Sequence, residues 1–270
     1  RAYNPGNLDH AKGVIRFYDH NFGGYVGGID NPRDGRNNQG TSGLTGTGTW
    51  QWAGHQWLSV HNGRAAFVSK QIGGGIQKVV DVWDLNFDGT NINPTFVNMY
   101  AKDDFNSDAK SGSSWGMSGD LRGNYLVIGD NTYDGSKGRV WVFDVTQGSI
   151  ADPQSSLLYT IDPDQSGQSL ASAAAFGSAI AIADNGTFAV SAPYDTQNTV
   201  GGWYGGSVMI FNISDGSLVT TIDVSHYNLP DFGSDHQTNR VPANEQKELA
   251  ISDDGSRIVV GDNIIAYSGS

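Results

Sequence analysis

The chain has 270 residues, a formal net charge of −12, 37 glycines and no cysteine, and only two of its 28 acidic residues are Glu, a balance that favours turns over helices. The charge disfavours nucleic-acid and anionic membrane partners, which require clustered Lys and Arg, and the lack of Cys excludes disulfides and thiolate metal sites. No apolar run reaches the roughly 20 residues that span a bilayer, so no membrane insertion is predicted.

Four strand-like segments along the chain end in an aromatic residue followed by Asp or Asn. They are VIRFYD (14–19), VVDVWD (79–84), RVWVFD (139–144) and SVMIFN (207–212), and their last residues are 65, 60 and 68 positions apart. A further β-rich segment follows each one, and a hairpin precedes each one, with the hairpin near 248–261 preceding the first across the termini. Turn signals at 62–63, 185–186 and 254–255 mark these hairpins. Each copy is therefore predicted to be a four-stranded antiparallel unit.

The third copy carries the clearest motif. Its first strand opens with FGS at 176–178 and its second closes with SAP at 191–193, a pattern that resembles the FG-GAP repeat of integrin-α-type β-propellers. The second copy has WG at 115–116 and IGD at 128–130 in the equivalent places, and the first copy has Trp57. Repeats of this length with four strands each are typical of a β-propeller.

We therefore predict an all-β fold, with residues 1–270 forming a single β-propeller domain. Four-stranded blades are expected near 57–100, 115–162 and 176–224, and a blade at 248–270 is completed by residues 1–30. This closure by terminal strands gives four blades. If residues 264–268 (IIAYS) form a third strand themselves, the ring has five blades or the chain is an open excerpt of a larger ring. The start at Arg1, without Met or a leader, predicts a processed product or an excerpt.

Residues 84–89, DLNFDG, read like the first half of a calcium-binding loop with Asp84, Asn86 and Asp88 as ligands. Such a loop also needs a bidentate carboxylate at its twelfth position, which is Thr95 here. The other copies place Asp, Asn and Gly in the same turn for backbone reasons, so we interpret the segment as a turn. The resemblance implies calcium between strands one and two, but that loop is shortened to HNG, LRG, DNG and DDG. We predict no cofactor, with calcium as the alternative.

The predicted connections differ in length at the two ends of the blades. Those between blades and between strands two and three are long, whereas most hairpin turns at the opposite end are minimal. Long connections are typical of function, which places the candidate site at their end. Side chains that stack on sugar rings or anchor a protein partner are concentrated there. They are Trp50, Trp52, Tyr194, Trp203 and Tyr204, with gap filling between blades as the alternative.

These patterns favour a non-catalytic structural or adhesion module of the extracellular space, the cell surface or a virion. Its partner is a glycan or a protein, and it is suited to self-assembly into a larger structure. The resemblance adds that FG-GAP-like propellers are frequent in surface adhesion and in phage or bacterial structural proteins. The alternative is a polysaccharide-active enzyme, a glycosidase or lyase, which needs two carboxylates about 5 to 10 Å apart in one cavity. The candidate acids are Asp103, Asp104, Asp130, Asp195, Asp235 and Asp262.

Overall fold

A computed structural model describes residues 14–18, 24–30, 49–51, 57–72, 77–105, 114–149, 151–163, 174–195, 199–200, 203–204, 206–223, 249–260 and 263–266. In these ranges the fold is all-β, with three four-residue helical turns, namely α1 (Lys102–Phe105), α2 (Tyr133–Ser136) and a 3₁₀ turn (Pro153–Ser156). The chain divides into two compact units, Arg1–Ser107 with Val145–Ser156, and Asp108–Asp144 with Leu157–Ser270. The prediction of one domain over the whole chain stays a prediction.

The first unit holds two antiparallel sheets that share a core. One pairs β1 (Val14–Tyr18) with β2 (Tyr25–Asp30). The other has five strands, namely β3 (Thr49–Gln51), β4 (Leu58–His61), β5 (Arg64–Ile72), β6 (Gln77–Asp84) and β7 (Thr95–Ala101). β4 and β3 pair with successive parts of one edge of β5, and β6 and β7 follow on its other side. Ile15 and Ile29 from the first sheet pack with Phe67 and Trp83 from the second.

The second unit holds three antiparallel sheets in chain order. The first is β8 (Ser118–Arg122), β9 (Tyr125–Asp130), β10 (Arg139–Asp144) and β11 (Leu157–Ile161). The second is β12 (Ile180–Ile182), β13 (Thr187–Ala192), β16 (Ser207–Asn212) and β17 (Leu218–Asp223), with a small hairpin, β14 (Thr199–Val200) and β15 (Trp203–Tyr204), between β13 and β16. The third is β18 (Leu249–Ile251), β19 (Arg257–Val260) and β20 (Asn263–Ala266).

The middle sheet of the second unit is buried on both faces. Alternate residues of a strand point to opposite faces of its sheet. In β16, the residues on both faces are buried in hydrophobic clusters. Met209 and Phe211 pack in one cluster with Val142 of the first sheet, whereas Val208 and Ile210 pack in another with Ile258 of the third. The three sheets therefore pack face to face, in the order in which they occur in the chain.

The predicted copies near 57–100, 115–162 and 176–224 each form a sheet of four consecutive antiparallel strands, to which β3 is added in the first. The prediction of an all-β chain built from such sheets is therefore confirmed. The turn at 62–63 is confirmed as a two-residue turn, because Asn62 (φ 48°) and Gly63 (φ 75°) both have positive φ.

The last sheet differs from the closure that we expected for it. Its third strand is β20, directly after β19, whereas we had assigned that place to residues near 12–30. A local hairpin closes at a smaller entropic cost than a pairing of distant segments, which favours β20. This is the alternative that IIAYS left open, and the number of blades stays a prediction.

A β-bulge recurs at one position of the repeat. In four pairs of third and fourth strands the register shifts just before the residue that precedes the terminal Asp or Asn. A bulge inserts one extra residue into one strand of a pair. The inserted residue lies on the fourth strand and is apolar in every copy. The four inserted residues are Val26, Val97, Leu158 and Val219.

The WG and FG motifs occupy the same structural position, as the sequence predicted. The Gly116 N–H donates to the Gly129 carbonyl at 3.1 Å, and the Gly177 N–H donates to the Ser191 carbonyl at 3.0 Å. Both donor glycines have positive φ, 70° and 87°. The aromatic residue before each glycine is buried, as is Trp57 in the first copy. The motif therefore docks the start of the first strand onto the second strand.

Candidate functional site

Three of the aromatic residues predicted to bind a ligand, Trp50, Trp203 and Tyr204, lie in short strands. These short strands are at the end of each sheet where the connection from the second to the third strand lies. In the first unit, β5 and β6 extend beyond β4, and Trp50 pairs with Gln71 in that extension. In the second unit, Trp203 and Tyr204 form β15 in the hairpin between β13 and β16. Each unit thus has an aromatic position in a short strand at the corresponding end of one of its sheets. Trp52 lies outside the described residues.

Tyr194, the fifth predicted aromatic, lies in the turn that follows β13. Its side chain is half-buried, and its N–H donates to the Ala174 carbonyl at 3.1 Å. The next residue, Asp195, is 3% exposed. Tyr194 is therefore fixed at the base of the connection that carries Trp203 and Tyr204.

The described acids proposed for an enzyme are engaged by their own sheets. Asp130 is fully buried, and its Oδ1 accepts hydrogen bonds from the Thr132 N–H at 3.1 Å and the Thr132 hydroxyl at 2.8 Å. The Oδ2 of Asp195 accepts from the Ser207 hydroxyl at 3.0 Å. Both carboxylates therefore help to hold the connections that leave β9 and β13.

Of the other candidate acids, Asp104 lies in a described helical turn, and the remaining three lie partly or wholly outside the described residues. Asp104 belongs to α1, where its backbone carbonyl accepts from the Gln154 amide at 2.6 Å. Asp103 also lies in α1, and its side chain, like Asp235 and Asp262, lies outside the described residues. The carboxylate pair that the enzyme alternative needs stays a prediction.

The carboxylate of Asp88, a candidate calcium ligand, is directed at its own turn. Its Oδ1 accepts from the N–H groups of Asn91 at 2.7 Å and Thr90 at 2.9 Å, and its Oδ2 accepts from the Asn93 amide at 3.2 Å. The backbone N–H of Asn91, followed by that of Thr90, lowers the pKa of Asp88. An Asx-type turn of this kind is what the structural interpretation predicts.

The other two candidate ligands are also used within the turn. Asp84 Oδ1 accepts from Arg64 Nε at 2.7 Å. Asn86, at φ 47°, donates its amide to the Asn93 carbonyl at 3.1 Å and to the Thr95 hydroxyl at 2.8 Å. Within the described ranges, no group of three or more His, Asp or Glu side chains could hold a metal ion.

A charged cluster that sequence reasoning missed joins the three hairpins between first and second strands in the second unit. Arg122 Nε donates to Asp184 Oδ1 at 2.5 Å, and Arg122 Nη2 also binds Asp253. The hydrogen bond that Arg122 donates to Asp184 is the main cause that raises the pKa of Arg122 above its ordinary range. The partners are 62 and 131 positions from Arg122, so no local pattern could reveal them.

Sequence reasoning also missed exposed rings at the opposite, minimal-turn end of the first unit. Tyr18 is 61% exposed, Tyr25 56% and Phe87 61%. Tyr18 and Tyr25 flank the β1–β2 connection, and Phe87 lies within the β6–β7 connection. The connection lengths predicted the candidate site at the other end of the strands. The composition of these connections does not predict that the three rings are exposed to solvent.

No protein-family model matches this sequence, and a comparison with curated proteins finds no similar protein. None of the helices in the described part of the chain has the length and apolar character needed to cross a membrane.

Proposed function

We propose that this chain is a β-propeller-type module of an extracellular or virion surface protein, and that it binds a glycan without catalysis. The blade interpretation is supported by the sheets of the second unit, which pack face to face in chain order. The recurrent bulge and the recurrent glycine hydrogen bond support the equivalence of the copies. The resemblance of residues 176–178 and 191–193 to FG-GAP repeats is consistent with this architecture.

The way in which one sheet packs on the next supports β1 and β2 as third and fourth strands of a blade. In the second unit, the Tyr159 hydroxyl of β11 donates to the Ile213 carbonyl at 2.6 Å, in the β16–β17 turn of the next sheet. In the first unit, the Val26 carbonyl of β2 accepts from the Ile92 N–H at 2.7 Å, in the β6–β7 connection of the next sheet. With β20 as a third strand, this favours five blades over four.

The observation that carries the binding proposal is the placement of Trp50, Trp203 and Tyr204 on paired strands. Aromatic side chains on hydrogen-bonded strands lose little conformational entropy on binding, which favours affinity. Flat apolar rings with a polar tip are suited to the faces of sugar rings. A neutral glycan is favoured over an acidic one, because a net charge of −12 repels anions.

Binding without hydrolysis is supported by the carboxylates at the same end of the sheets. A glycosidase needs a protonated acid and a second carboxylate that both face the substrate. Asp130 and Asp195 instead accept hydrogen bonds from Thr132 and Ser207. These acids thereby stabilise the connections that present the aromatic residues.

The test is retention on a panel of insoluble neutral polysaccharides, combined with an assay for reducing or unsaturated ends. We expect the wild-type protein to be retained on at least one polymer, with no ends released. Trp50→Ala and the double variant Trp203→Ala with Tyr204→Ala are each expected to weaken retention at least tenfold. The matched control replaces two exposed apolar residues elsewhere, Leu158→Ala with Val219→Ala, and is expected to bind as the wild type does.

Released ends would establish the enzyme alternative and contradict this proposal. Retention that is unchanged by the substitutions at Trp50, Trp203 and Tyr204 would also contradict it, as would no retention on any polymer. Because the replaced residues take part in strands, each variant is compared with the wild type by circular dichroism before binding is scored.

A further inference from the structure

Two of the exposed rings of the first unit contact each other. Tyr18 and Tyr25 face each other across β1 and β2, with ring centroids 6.0 Å apart in an edge-to-face arrangement. The Arg16 guanidinium lies 5.5 Å from the centroid of the Tyr25 ring, and its Nη1 donates to the Tyr25 hydroxyl at 3.4 Å. The tyrosine pair is thus oriented by its neighbours while most of its surface stays open to solvent.

The third ring is carried beside this pair by the β6–β7 connection. Phe87 forms an antiparallel bridge with Ile92, and the Ile92 N–H donates to the Val26 carbonyl, next to Tyr25, at 2.7 Å. Gly27 permits this approach, because a Cβ at that position would lie 2.6 Å from the Ile92 carbonyl oxygen. One bridge and one hydrogen bond therefore separate Phe87 from Tyr25, which places their Cα atoms within about 10 to 15 Å of each other.

The connection that carries Phe87 is held rigidly. Asp88 accepts from three groups of its own turn, and Asn86 donates to the Asn93 carbonyl and to the Thr95 hydroxyl at the start of β7. These bonds hold the backbone on both sides of Phe87, yet the ring is 61% exposed. The side chains of Thr90 and Asn91, also exposed, place a hydroxyl and an amide on the same turn. A rigid, exposed aromatic residue with polar neighbours is typical of a recognition surface.

The size and charge of this patch favour a sugar over a protein as its partner. About 60% of each of three aromatic side chains is exposed, which amounts to roughly 350 Å² of mainly apolar surface. A stable protein interface needs about 800 Å² on each partner. Asp88 on the same connection, together with the net charge of −12, disfavours acidic sugars.

We propose that Tyr18, Tyr25 and Phe87 form a second glycan-binding surface, for a neutral oligosaccharide, at the minimal-turn end of the first unit. This surface is separate from the aromatic residues of the long connections and does not depend on their function.

The experiment titrates the full chain with soluble neutral hexasaccharides, namely β-1,4- and β-1,3-linked glucose and β-1,4-linked mannose. Dissociation constants are measured by saturation-transfer difference NMR. The test variant is Tyr25→Ala with Phe87→Ala, and the matched control is Leu158→Ala with Val219→Ala. All four residues are exposed, so we expect all variants to keep the urea midpoint of the wild type.

We expect the Tyr25 and Phe87 variant to lose at least tenfold in affinity for one hexasaccharide, while the control loses none. Equal affinity of this variant and the control would overturn the proposal, as would the absence of binding by any hexasaccharide. The variants at Trp50, Trp203 and Tyr204 are titrated in parallel. If the variants at Trp50, Trp203 and Tyr204 lose affinity and the Tyr25 and Phe87 variant does not, only the surface formed by Tyr18, Tyr25 and Phe87 is refuted. The opposite pattern refutes only the surface formed by Trp50, Trp203 and Tyr204.

Discussion

Gly138 allows two sheets of the second unit to meet through their backbones, and its replacement tests that contact. It has φ 92°, and a Cβ there would lie 1.9 Å from the Phe176 carbonyl oxygen and 2.6 Å from the Phe176 nitrogen. Phe176 is fully buried, and its N–H donates to the Lys137 carbonyl at 3.0 Å. Gly138→Ala must therefore move backbone that is held on both sides.

The expected cost of Gly138→Ala has two parts. An L-residue at this φ costs about 1 kcal/mol. Overpacking against a fixed neighbour costs about 1 to 3 kcal/mol more, so we expect the free energy of unfolding to fall by about 3 kcal/mol. That is a large fraction of a typical domain stability of about 5 to 15 kcal/mol.

Gly186→Ala is the matched control for this substitution. Gly186 has φ 84° and no atom within 4 Å of its Cβ position, so it carries the conformational cost without the clash. We expect it to lose about 1 kcal/mol, measured for both variants by urea denaturation monitored by circular dichroism. Equal losses in the two variants would refute the close approach between residues 138 and 176.

Two further predictions concern the hairpins of the second unit. Arg122→Gln is expected to cost about 1 kcal/mol at low salt, and less in 0.5 M NaCl, because it removes two partly exposed ion pairs. Arg257→Gln on an adjacent hairpin is the control, and a loss that does not depend on salt would contradict this reasoning. Hydrogen bonds, first from the Ser252 hydroxyl, lower the pKa of Asp254 from 3.8 to about 2. The ionised Asp254 carboxylate therefore contributes to stability above pH 3.8, and this contribution is lost as the pH falls through 2. In urea titrations, the Asp254→Ala variant should lose less stability than the wild type between pH 5 and pH 2. Equal losses in the two proteins would contradict this prediction.

The repeat could be predicted because its signals are local. Strand alternation, the turn at 62–63 and the glycine after Trp115 or Phe176 all depend on residues close in the chain, and each was found where it was expected. The interpretation of residues 84–89 as a turn also depended on local chemistry. Asp88 accepts hydrogen bonds from residues that follow it by two and three positions.

The features that sequence reasoning missed depend on contacts between distant segments. β20 and the residues near 12–30 both have the pattern of a third strand, and only pairing with β19 distinguishes them. Tyr18, Tyr25 and Phe87 are exposed, whereas other Tyr and Phe residues of the same chain are buried. Whether an aromatic side chain is covered depends on the neighbouring sheet, which the local pattern does not specify.

The all-β class, the length of the repeat and the order of the four main strands in the copies near 57–100, 115–162 and 176–224 follow from the sequence, because strand alternation and turn chemistry act over a few residues. The third strand of the last sheet, the partners of the buried carboxylates and the exposure of individual side chains depend on contacts between distant segments. Asp130 and Asp195 are candidate acids by sequence, and in the structure they accept hydrogen bonds from the hydroxyls of Thr132 and Ser207. Arg122 forms ion pairs with carboxylates of the two following sheets, because the packing of the sheets brings together hairpins that are far apart in the chain.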